Sequence, residues 1–145
     1  MVAKVVWLTL VVLVATGVIA AHTDLTRRII PNRLLAAAGF LLLMFAILDG
    51  RVPFALFGAA MLAGIALIGV AAGGLGMGDL KYLAVVGLGL GPVVGLLALF
   101  LAAFAAVICN LPLALRKGRR ATFPFGPFIA LGSVLATLPL AVFGR

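Results

Sequence analysis

Three carboxylates stand out in a chain of 145 residues that is 66% hydrophobic: Asp24, Asp49 and Asp79. An ionisable side chain in or beside a membrane span is costly, so each one is a functional candidate. Asp79 sits in the most unusual stretch of the sequence, Gly73-Gly74-Leu75-Gly76-Met77-Gly78-Asp79-Leu80-Lys81, between two apolar runs. Glycines remove side-chain bulk and permit unusual backbone angles, so backbone and substrate can approach a carboxylate closely. Two neighbouring carboxylates cannot both ionise cheaply. One keeps a proton, the other stays charged, and together they can activate water against a carbonyl. Asp24 and Asp79 are the candidate pair.

The elements that must bring them together are membrane helices. A soluble domain is about half apolar and a quarter charged. This chain is 10% charged with a mean hydropathy of +1.41 and has no polar stretch long enough for a separate soluble domain. The expectation is an all-α membrane protein, a polytopic bundle of six transmembrane helices forming a single domain over residues 1–145. Val5 to Ala21 is the first span. Lys4 before it and Ala20-Ala21 at its end resemble a signal peptide, but the run is longer than most such segments and further apolar runs follow. A polar loop from His22 to Arg33 comes next, with Pro31 suited to the first turn of the following helix. The second span is Asn32 to Leu48, closed by the turn Asp49-Gly50-Arg51-Val52-Pro53. The third is Phe54 to Ala72, where Gly58, Gly64 and Gly69 suggest close packing. A fourth begins near Asp79 and either stops at Gly91-Pro92 or continues, kinked, into Val93 to Leu115; Gly91 and Gly95 have a GxxxG spacing. The sixth opens at Phe123-Pro124-Phe125-Gly126-Pro127-Phe128 and runs to Phe143.

The net charge of +8 fixes orientation and is no nucleic-acid signature. Loops after spans one, three and five carry eight basic residues: Arg27, Arg28, Arg33, Lys81, Arg116, Lys117, Arg119 and Arg120. The other side has three, Lys4, Arg51 and Arg145. Positive charge stays inside, which puts Asp24 and Asp79 on the cytoplasmic face and Asp49 on the other. Helix position favours Asp79, at a helix N-terminus, as the ionised member and Asp24 as the acid. Each aspartate alone also reads as a helix cap or an arginine partner.

Other chemistries fit less well. The glycine stretch is neither G-x-x-x-x-G-K-[ST] nor G-x-G-x-x-G, so it does not cradle phosphate. His22 with the two aspartates would make only a weak metal site, and no metal or cofactor is expected. Ser133 is the sole serine and lies in an apolar span, which leaves no serine–histidine–acid set. Cys109, the sole cysteine, excludes an internal disulfide and reads as a small buried hydrophobe. A small transporter or channel would place polar groups along several spans, and these spans are nearly bare of them. A catalytically silent assembly subunit would not need the aspartate pair.

Gly76-Met77-Gly78-Asp79 resembles the GxGD motif of intramembrane-type aspartic peptidases. With Lys81 after it, Asp24 before Arg28 and Ile30-Pro31-Asn32, and the late Pro124-Phe125-Gly126-Pro127, the chain resembles the type IV prepilin peptidases over nearly its whole length, in that family's order. The resemblance implies a helical membrane bundle in the inner membrane that cleaves, on the cytoplasmic side, the basic leader of prepilin or pseudopilin substrates before their hydrophobic segment. It implies that Asp24 and Asp79 are catalytic, that Gly76 and Gly78 are the motif glycines, and that Lys81, Pro124, Gly126 and Pro127 shape the site. Lipids and the substrate are the implied partners; nucleic acid is not. Larger members carry an insertion with paired CxxC motifs and also methylate the new N-terminus. Asp24 follows the first span almost directly here, so the chain looks more like the short peptidase-only members of Flp-type (tight-adherence) pili. The archaeal preflagellin peptidases are similar in motif and remain an alternative.

Overall fold

Five helices build the protein in this computed structural model, which describes the backbone of residues 2–117 and 124–143 and the side chains of residues 5–110 and 124–139. They are α1 (Val2–Arg27), α2 (Asn32–Leu48), α3 (Val52–Ala71), α4 (Met77–Lys117) and α5 (Gly126–Phe143). The fold is an all-helical membrane bundle. Val5–Arg27, Val52–Ala71 and Met77–Asn110 are each long and apolar enough to cross a membrane, and Asn32–Leu48 and Gly126–Pro139 are shorter apolar helices. The basic loop at Arg116–Arg120 and the start of the last segment at Phe123 lie outside the residues whose side chains are described.

Among the described residues these five stretches hold six helical segments, because α4 is broken at Gly91. Its φ of 75° and ψ of -176° interrupt α4. Only glycine enters that region at low cost. A Cβ placed on Gly95 would lie 3.4 Å from the Cα of Gly87. Eight residues along a straight helix would be about 12 Å apart, so α4 doubles back on itself at Gly91-Pro92. Proline suits the first turn of the returning half because its missing N–H is not needed there. The first half of α4 lies against α3 at Gly58 and Gly87, where neither position has room for a Cβ. Lipid tails are as apolar as leucine, so such close backbone approach, more than hydrophobic burial, holds membrane helices together. Gly64, by contrast, faces open space and packs against nothing within 4 Å.

The core sits where α1, α4 and α5 meet, sealed by the fully buried Leu13, Tyr82, Leu83 and Ile129, with Leu42 and Leu62 closing it from α2 and α3. The outward face of α4 carries Phe100, Phe104, Val107 and Ile108. Cys109 lies on this exposed surface instead of in the core, because in a lipid-facing helix an apolar run marks the outside as well as the inside.

The first helix runs further than its apolar stretch. The Thr23 hydroxyl donates to the carbonyls of Ile19 and Ala20, and that of Thr26 to His22, so α1 continues through the polar residues to Arg27. Asp24 is therefore in the last turn of a helix, not in a loop. Arg28, at φ 52°, ends the helix in the left-handed region. That conformation costs a non-glycine residue roughly 1 kcal/mol or more. Pro31 stands one residue before α2, as its N-cap. The third helix ends in a Schellman motif. There Gly73, at φ 74°, donates to the Val70 carbonyl and Gly74 to that of Gly69. This turn delivers the chain to Gly76.

Candidate functional site

The ends of α1 and α3 and the starts of α2, α4 and α5 gather at one end of the bundle. A cavity of about 330 Å³ opens there, lined by Asp24, Arg28, Ile29, Ile30, Asn32, Gly76, Met77, Gly78, Asp79 and Lys81. The two aspartates picked out by type and spacing thus share one cavity, although two whole helices separate them in the chain. They are close enough for the charge on Asp24 to be felt at Asp79. A smaller cavity of about 60 Å³, lined by Thr9, Arg51, Leu90 and Thr137 among others, lies at the opposite end. Asp49 belongs to that end, where its Oδ2 lies 3.4 Å from Arg51 Nε.

Each carboxylate of the shared cavity accepts a backbone hydrogen bond. Asp79, in the first turn of α4, reaches back to the N–H of Gly76 at 3.2 Å, and this bond is exposed to water. It is the geometry of an acidic residue at N3 capping its own helix. Asp24 accepts a buried bond of 2.9 Å from the N–H of Gly126, the first residue of α5 and 102 positions away. Asp24 itself is 8% exposed.

The glycines of the site do different jobs. Gly76 and Gly78 do not use positive φ; that conformation belongs to Gly73. A Cβ at Gly76 would sit 3.4 Å from Asp79 Oδ2 and one at Gly78 3.5 Å from Ile30, both ordinary contacts. Bulk at Gly78 would meet the cavity wall without a collision. Gly126 is the tightest of the three. A Cβ there would lie 2.8 Å from Asp24 Oδ2, shorter than real Cβ contacts allow.

Lys81 lines the cavity, and its Nζ donates to Asn32 Oδ1 at 3.0 Å, tying α4 to the start of α2. Pro124 and Pro127 are not among the cavity-lining residues; they flank the turn that presents the Gly126 N–H. His22 is exposed on α1 and likewise does not line the cavity. Residue types alone miss Arg28, Ile29, Asn32 and Met77 as lining residues. The signal for Asn32 was its place in Ile30-Pro31-Asn32, directly after Pro31.

A family model described as the type IV leader peptidase family matches residues 11–111, from the middle of α1 to the returning half of α4. The chain belongs to that family. The match includes both cavity aspartates and ends before the α5 residue that touches one of them. Among curated proteins, the chain is 35% identical over 139 residues to the prepilin leader peptidase/N-methyltransferase of Bacillus subtilis (strain 168). That alignment covers 88% of this chain and 54% of the relative, so this leader peptidase family member spans about half the length of the protein it matches. No solved structure matches it.

Proposed function

We propose that the protein is a membrane aspartic endopeptidase that removes the basic leader from prepilin or pseudopilin substrates. The observation that carries this reading is the meeting of Asp24 and Asp79 at one cavity in a chain of the leader peptidase family. In the reaction one carboxylate takes a proton from water as the oxygen attacks the scissile carbonyl, and the other carboxyl protonates the carbonyl oxygen. Gly76 and Gly78 keep the cavity open beside Asp79, and Lys81 with Asn32 borders it.

The cavity end is the cytoplasmic end. Arg27, Arg28, Arg33 and Lys81 cluster there, while Arg51 marks the other end, in keeping with the positive-inside bias. The active site then faces the cytoplasm from the inner membrane, where a basic leader resides before export. The protein works as a single peptidase domain. Asp24 lies in the last turn of α1, almost directly after the first apolar run, which leaves no room between them for the CxxC-bearing insertion of the bifunctional members, so the proposed activity is leader cleavage without N-methylation.

Co-expression with candidate prepilins, followed by N-terminal sequencing of the products, tests the proposal. The expected product begins at the residue preceding or opening the hydrophobic segment. Uncleaved substrate in the presence of correctly inserted enzyme, across prepilin, pseudopilin and preflagellin candidates, would refute it.

A further inference from the structure

Gly126 is the residue of this site that no acid–base pattern points to. It is the first residue of an 18-residue helix, its N–H donates to Asp24 Oδ2 at 2.9 Å, and the bond is buried. A Cβ in its place would displace the Asp24 side chain. Asp24 needs such a donor. It lies in the last turn of α1, where the helix dipole opposes negative charge, and it is nearly buried. The N-terminus of α5 supplies the opposite polarity from across the bundle. Asp79 has a weaker arrangement: a longer bond of 3.2 Å, from a residue three positions earlier on its own chain, in contact with water. Arg28 and Lys81 line the cavity with both acids and favour charge at either one.

We infer that Gly126 is a positioning residue that makes Asp24 the charged, proton-accepting member of the pair and leaves Asp79 as the proton donor. This reverses the order that helix position alone suggests, and it rests on the peptidase reading above. With one oxygen of Asp24 held by Gly126, its carboxylate takes a proton from water while the water oxygen bonds to the scissile carbonyl carbon. Asp79 gives its proton to the carbonyl oxygen. On collapse the C–N bond breaks, the proton on Asp24 passes to the leaving amine, and Asp79 recovers a proton from the hydroxyl that becomes the new carbonyl. The sum is peptide plus water giving acid plus amine, with both aspartates returned to their starting states. The Pro-Phe-Gly-Pro segment thereby gains a role at the site. Phe125 closes the first turn by accepting from the N–H groups of Phe128 and Ile129, and Gly126 is left to serve Asp24.

The test is chemical labelling of the intact protein in detergent micelles, in a preparation that cleaves substrate. An epoxide is opened by a carboxylate anion, whereas a diazoacetyl ester esterifies a protonated acid. Mass spectrometry of the peptides should find the epoxide ester on Asp24 and the diazoacetyl ester on Asp79. Epoxide on Asp79 in preference to Asp24, or equally on both, overturns the inference. Gly126→Ala is the second arm. In folded protein, judged by thermal unfolding, it should erase the epoxide preference for Asp24. It should also lower kcat by about ten- to a hundred-fold with little change in KM, the rate equivalent of a hydrogen bond to a charged group. A folded Gly126→Ala enzyme with wild-type labelling and kcat overturns the inference too, and if the variant does not fold the wild-type labelling decides. Failure of cleavage by the wild type would sink the peptidase reading, whereas cleavage with reversed labelling sinks only the assignment of roles.

Discussion

Replacing each of the three aspartates by asparagine separates chemistry from architecture, because asparagine keeps the shape and one carbonyl acceptor. In Asp24→Asn the side-chain oxygen still accepts from Gly126, and in Asp79→Asn it still accepts from Gly76, so both backbone anchors survive. What is lost is the exchangeable proton and the charge. Removing one member of a catalytic unit typically costs on the order of 10⁴-fold or more in turnover, and both variants should fall by that much while remaining folded. Asp49 gives the opposite pattern. Arg51 Nε, 3.4 Å from Asp49, is buried and has no hydrogen-bond partner, and the two side chains are 26% and 13% exposed. The pair is therefore more than a surface contact. Neutralising Asp49 leaves a buried guanidinium N–H without its counter-charge, a cost of about 1–3 kcal/mol. Asp49→Asn should lower the thermal midpoint in micelles yet cleave leader at near the wild-type rate per folded enzyme. The assay is gel-shift cleavage of a prepilin, normalised to the monodisperse folded fraction. Loss of cleavage in folded Asp49→Asn, together with survival of either other variant, would refute the assignment of the pair.

Gly91→Ala should destabilise the fold by about 2–4 kcal/mol, from backbone strain and overpacking, because its new methyl would collide with the Phe54 ring; Phe54→Ala should recover part of the loss in thermal unfolding. In a Cys109→Ala background, an impermeant thiol reagent added outside should reach a cysteine at Arg51 and miss one at Arg33 or Arg119; the reverse pattern would overturn the orientation and with it the leader-cleavage reading. Neutralising Arg116, Lys117, Arg119 and Arg120 together should change insertion or lipid dependence more than turnover per inserted enzyme, because basic loops favour anionic head groups; a large fall in turnover of inserted protein would show that this segment contacts substrate.

The bundle and its acid pair were legible because membranes make charge conspicuous. With three acids in the chain, hydropathy and the positive-inside bias suffice to divide Asp24 and Asp79 from Asp49, and the structure sets them at opposite ends. Helix limits were less legible wherever polarity and helicity part company. Thr23 and Thr26 carry α1 past its last apolar residue by bonding to their own helix, so the polar stretch that marks the end of a span does not mark the end of a helix. Gly91-Pro92 reads as either a stop or a kink, and only the approach of Gly95 to Gly87 shows that the chain turns back there.

The donors to the two carboxylates lie deeper still. A backbone N–H has no letter of its own, since every residue but proline carries one. What a sequence can show is the space cleared for it. Gly126 is such a clearing, between Phe125 and Pro127, and its amide is the one that reaches Asp24. The two motif glycines also differ. Both border the cavity, but Gly76 presents its N–H to Asp79, whereas Gly78 faces Ile30. A methyl at Gly78 should therefore act through the space left for substrate, raising KM before it touches kcat. A methyl at Gly126, 2.8 Å from Asp24 Oδ2, should act through that carboxylate itself.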